Sequence, residues 1–134
     1  MTIDMGLLSR IQPDDPKSDL RSKVGGAKGI EIFNNQILVA VYIRPDRSPG
    51  GIIYADSTRD EDKFQGKVGL IIKAGPCAFL DEDQKWFKDA SIGIDDWVVF
   101  RPSDGWALTI NGQMCRVLDD TAVRARIDSP ERVF

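Results

Sequence analysis

The sequence predicts an all-β domain, an antiparallel barrel or sandwich, and three observations predict it. Five or six short runs rich in β-branched and aromatic residues are separated by clusters of turn-forming residues. One pair of runs, Trp106 to Ile110 and Gln113 to Leu118, is joined by Asn111-Gly112, the preferred two-residue hairpin connection because both turn positions need positive φ. Helical candidates are few and brief, which leaves strands to supply the layers of the core.

Taken in order, residues 1–34 read as an N-terminal arm or linker. Pro13 to Ser18 is rich in breakers and polar residues, and Gly25-Gly26-Ala27-Lys28-Gly29 follows. Leu7, Leu8 and Ile11 form a small apolar patch there, suited to docking on a neighbour. The glycines do not make a phosphate loop, since no Gly-Lys-Ser/Thr ending follows and no strand precedes them.

From Gln36 to Ile43 the pattern is that of a strand covered on both faces, with Ile37, Val39, Val41 and Ile43 to one side and Leu38, Ala40 and Tyr42 to the other. A second strand opens at Gly66-Lys67-Val68 and stops at Gly75-Pro76. Residues Cys77 to Ile92 form a long excursion with a solvated acidic tip, Asp81, Glu82 and Asp83, between apolar anchors. The tip is not a calcium loop. Lys85 holds the fifth position, Trp86 stands where the turn glycine belongs, and Ile92 replaces the bidentate glutamate.

A third strand is expected at Asp96 to Phe100, broken by Pro102 to Gly105. In the hairpin that follows, Trp106 falls opposite Val117 and Leu108 opposite Cys115, placing a core set on one face. Ala122 to Ile127 is the last strand, and residues 129–134 are a short tail.

Composition limits the function classes. A chain of 134 residues with 42% hydrophobic and 29% charged residues suits one soluble domain with its own core. A net charge of -3 argues against nucleic-acid binding, which needs a concentrated basic face. No run is apolar and long enough to span a membrane and no secretory signal is visible, so the cytoplasm is the default compartment. Cys77 and Cys115 are too few for a disulfide framework and too far apart for a Cys-x-x-Cys motif, and both are expected to be buried.

The absence of histidine removes the commonest general base, the usual triad and most zinc sites. The pairs Asp95-Asp96 and Asp119-Asp120 fall at strand ends, where aspartate satisfies local backbone groups. Trp86, Trp97 and Trp106 are expected in the core rather than on a ligand platform. No catalytic residue, metal site or cofactor is therefore assigned, and the chain is not read as an enzyme.

The stretch most suggestive of function is Arg44 to Gln65. It is charged, carries Pro45, Pro49 and Gly50-Gly51, and holds Ile52, Ile53 and Tyr54 together in its middle. Such a patch in a polar loop is either a docking peptide that gains burial on a partner or a short edge strand folded on its own domain.

The order of these elements resembles the small co-chaperonin (GroES) family. The residues that carry the resemblance are Gly50-Gly51-Ile52-Ile53-Tyr54 in a charged loop, Gly66-x-Val68 opening a strand that ends in glycine, Asp96-Trp97-Val98-Val99-Phe100, Asp104-Gly105-Trp106, and Ala122-Val123-x-Ala125-x-Ile127. The resemblance covers about Asn35 to Ile127, and its domain is taken as 35–128.

It implies a partly open antiparallel β-barrel with a long docking loop and a roof-type excursion, assembled as a sevenfold homo-oligomeric ring that caps a chaperonin. Gly50, Gly51, Ile52, Ile53 and Tyr54 would dock in the chaperonin, each loop weakly and the ring through effective concentration. Subunits would meet through the first and last strands, at Ile37, Val39 and Val41 and at Val123, Ala125 and Ile127. Asp81, Glu82 and Asp83 would line the roof orifice, where repulsion keeps it hydrated.

The chain departs from the family at Tyr54, larger than the usual third loop residue, at Asp95, where a strand-opening glycine is expected, and at a displaced Gly75. The N-terminal arm has no counterpart, and such divergence fits a phage-encoded relative. A second expectation follows: a virion structural protein, such as a capsid, decoration or connector component, that uses the same barrel and contacts neighbouring virion proteins.

Overall fold

The structure, a computed structural model, describes residues 16–43, 67–80, 87 and 91–130. Six strands form one antiparallel sheet: β1 (Gln36–Val41), β2 (Val68–Ala74), β3 (Trp97–Val99), β4 (Trp106–Ile110), β5 (Gln113–Asp119) and β6 (Ala125–Ile127). Their order across the sheet is β4-β5-β1-β2-β3-β6. The all-β expectation therefore holds, in the form of an open sheet with β4 and β6 at its ends.

β1 sits in the interior because its alternation puts large apolar groups on both faces. Leu38, Ala40 and Tyr42 pack with Val68, Leu70 and Trp97 on one side, while Ile37, Val39 and Val41 pack with Ile71, Val98, Phe100 and Leu118 on the other. Such double burial requires cover on both faces. On the first face the cover is α1 (Pro16–Lys23) and a 3-10 turn, Gly25–Ala27, which insert Leu20, Val24 and Ala27. On the second it is the start of the excursion, with Ala78, Phe79 and Ile92.

Residues 16–29 thus differ from the expected arm. Pro16 opens a helix, where its missing N–H costs nothing; Leu20 is its buried residue, and Val24 and Ala27 are buried in the turn that follows. Arg21 forms an ion pair with Asp95, which ties the helix to the loop before β3. Asp95 itself takes φ +78, the left-handed conformation that glycine adopts without strain and aspartate tolerates better than most residues. Asp95 thus holds a backbone conformation that glycine would also adopt.

The pairing of β1 with β2 slips between Leu38 and Val39, leaving Ile72 as an extra residue in β2. A bulge of this kind bends and twists a sheet. The Asn111-Gly112 hairpin forms in the expected register, with Trp106 opposite Val117 and Leu108 opposite Cys115, and φ of 51° and 82° at the two turn residues. Its expected core face is only partly realised. Cys115 is fully buried, but Trp106 is 78% exposed because β4 is an edge strand with no layer above that end. Trp97 is in the core as expected.

The cysteines divide as well. Cys115, on β5 opposite Ala40 of β1, is buried, whereas Cys77 is exposed in the turn after β2, contrary to expectation, because it is the neighbouring Ala78 and Phe79 of that turn that pack on the core. Burial pushes the Cys115 thiol from its ordinary 9.0 up to about 11. One thiol should react rapidly with an aromatic disulfide reagent in the native protein and the second only after unfolding. The raised value also makes the native state bind its proton more tightly than the unfolded chain. Stability should be full below about pH 9 and fall as pH rises towards 11, by up to about 3 kcal/mol from this group. A Cys115→Val variant with the same alkaline slope as the wild type would contradict this.

Candidate partner-binding surface

The two long connections leave opposite ends of one strand pair. β1 and β2 run antiparallel, with Val41 opposite Gly69 at one end and Ile37 opposite Ala74 at the other. The segment from Arg44 to Gln65 departs from the first end. There Tyr42 N–H donates to Val68 O at 2.8 Å, Phe100 N–H donates to Lys67 O at 2.9 Å, and Tyr42 meets Trp97 edge to face at 5.8 Å. Gly50, Gly51, Ile52, Ile53 and Tyr54 lie outside the described residues, as do the roof-tip residues Asp81, Glu82 and Asp83.

The excursion departs from the other end, roughly 20 Å away at ordinary strand rise. Its base is locked by Gly75 N–H to Gln36 O at 2.8 Å and Cys77 N–H to Asn34 O at 2.9 Å. Asp120 completes the lock. Buried at 4% exposure, its carboxylate accepts from Asn35 Nδ2 at 3.0 Å and from Phe79 N–H at 2.8 Å, while its own N–H donates to Asn35 O at 3.0 Å. The reading of this aspartate as a structural group rather than a catalytic one fits that geometry. Beyond the base, Phe79 meets Phe87 edge to face at 5.2 Å, so aromatic packing closes the excursion's stem.

Beside this base lies an open groove of about 800 Å³. Ile30, Ile32 and Val117 line it, and Phe33 and Trp106 rise from it at 61% and 78% exposure. Glu31 and Asp119 add carboxylates. Asp119 accepts from Gln36 Nε2, whereas Asp104 at the same groove is already paired with Arg101 at 3.4 Å. Two large exposed aromatic groups around a partly apolar groove are suited to burial against another macromolecule.

Of the residues expected at a subunit interface, Ile37, Val39 and Val41 are fully buried within the single chain, and β1 is paired on both sides by β2 and β5. They are not available to a neighbour, and the expectation is corrected: doubly covered strands belong to the interior of a sheet. Ala125 and Ile127 are in β6, an end strand, and Val123 lies just before it, partly buried against the second core cluster. Sequence reasoning missed Phe33 and Trp106 as surface groups. Alternation put Trp106 in the core. The signal for Phe33 was its place before Asn34-Asn35, where Asn34 takes φ +54 and turns the chain into β1.

Among the described residues, no group of three Cys, Asp or Glu side chains is placed to hold a metal ion, and no helix is long and apolar enough to cross a membrane. Compared with protein-family models and with curated proteins, the chain matches neither.

Proposed function

We propose that this chain is a co-chaperonin-type ring subunit with a GroES-like, partly open barrel, and that it caps a chaperonin through Ile52, Ile53 and Tyr54 to assist ATP-dependent folding, with no catalysis of its own. One observation carries the reading: a charged segment with a lone apolar tripeptide and a second long excursion are rooted at opposite ends of the same strand pair. A lid needs that polarity, with one end to grip the cylinder and the other to close its axis.

The Ile72 bulge and the glycine-like φ of Asp95 fit the same barrel. The virion reading drew its support from an N-terminal arm, and helix α1 ties residues 16–23 of that arm to the core, which leaves it less to reach with.

The test is a refolding assay with a chaperonin, ATP and a denatured client, comparing the wild type with Ile53→Asp. A charged side chain cannot be desolvated in an apolar groove, and several loops act together, so the substitution should abolish capping. Equal support of refolding by both proteins would overturn the reading.

A further inference from the structure

We infer that Gln113 is a positioning residue for chaperonin docking: its buried amide fixes the end of β1 from which the segment from Arg44 to Gln65 departs. This deepens the capping reading, on which it rests, by naming the side chain that holds the root of that segment.

Among the described residues two polar side chains are buried, Asp120 at 4% and Gln113 at 5% exposure, and they stand at opposite ends of β1. Asp120 locks the excursion end through Asn35 and Phe79. Gln113 serves the other end, where its Nε2 donates to Val41 O at 2.8 Å and to Met114 O at 2.9 Å.

The strand pairing explains why a side chain is needed there. The ladder between β1 and β5 runs from Gln36 opposite Asp119 to Ala40 opposite Cys115, one residue short of Val41. Beyond it β5 enters the hairpin, where Gln113 is the residue opposite Ile110. Successive residues of an antiparallel strand turn their backbone groups to opposite neighbours. Tyr42 N–H donates to Val68 O of β2, so the backbone groups of Val41 face β5. The two N–H groups of one amide thus serve the two carbonyls at the open end of the ladder, one on each strand.

Val41 is fully buried, so its carbonyl cannot exchange this donor for water without opening the strand end. Tyr42, the next residue, is also buried and packs on Trp97, and the segment begins two residues later. Any residue released from β1 at this end adds to the chain that must be ordered when the segment docks, and that ordering is subtracted from the affinity.

The test uses the full chain and Gln113→Met, which keeps the length and apolar stem of the side chain and removes both donors. The Tyr42 amide should exchange about ten-fold faster or more, because its bond to Val68 O adjoins the released carbonyl. The Ile71 amide, bonded to Asp96 O within the core of the sheet, should keep its rate. Half-saturation of a chaperonin with ATP should require about ten-fold more of the variant, at a temperature where both proteins are folded. Asp120→Ala, at the far end of β1, should lose stability yet bind as the wild type does. In the wild type itself the Gln113 side-chain amide protons should be protected from exchange, a reading that needs no variant.

Unprotected Gln113 amide protons, an unchanged Tyr42 rate, unchanged binding, or an equal loss of binding in Asp120→Ala would each overturn the inference. Failure of the capping reading is separable: the wild type would then bind no chaperonin while the Tyr42 exchange difference persisted.

Discussion

Replacing Asp120 with alanine should cost about 2–3 kcal/mol of stability, because it removes a buried acceptor and strands a half-buried donor on each of two separate segments. The Phe79 N–H and Asn35 Nδ2 lose the acceptor that now joins the base of the excursion to the turn before β1. Urea unfolding should show a lower midpoint with an unchanged slope, equivalent to a melting shift on the order of 10 °C. The Phe79 amide should also exchange faster. Asp120→Asn keeps one acceptor oxygen and should fall between the wild type and alanine. A loss below about 1 kcal/mol for alanine would mean that water reaches these groups and that the lock is not closed in solution.

The second large effect is expected at Gly105. Its φ is +74, and a Cβ placed there would stand 2.3 Å from Val117 O and 2.6 Å from Leu118 Cδ2. The first of these is backbone of β5, so relief requires moving a strand of the hairpin rather than a flexible side chain. Gly105→Ala should therefore cost about 3 kcal/mol or more. Gly112 supplies the control, since its φ is +82 but its Cβ would meet open space. Gly112→Ala should cost only the left-handed strain, about 1 kcal/mol. Equal losses at the two sites would remove the clash as the cause.

Much of the strand framework was legible because its signals are local. Alternation in Gln36 to Ile43 showed a doubly covered strand, and Asn111-Gly112 set the hairpin register residue by residue. Helix α1 was hidden by its composition. A helix whose only buried residue is Leu20, opening at proline amid polar residues, resembles a linker, and Val24 and Ala27 reach the core beside it only because the chain turns through left-handed residues after Lys23. The groove was less legible still. Phe33 and Trp106 are far apart in the chain and meet the same surface only because β1 and β5 are paired, bringing the segment before β1 beside the start of β4.

What the sequence by itself determined is the class of fold, the positions of the strands and the tight turn, since side-chain period and turn chemistry act over a few residues. Which strands are interior and which are ends was decided only by the tertiary structure. Strand order depends on long-range pairing, and that pairing buried Ile37, Val39 and Val41 inside the chain while it left β4 and β6 as the free ends. The Ile52-Ile53-Tyr54 patch was found in the sequence as apolar residues among charges. The rooting of its stem opposite the excursion came from the antiparallel pairing of β1 with β2.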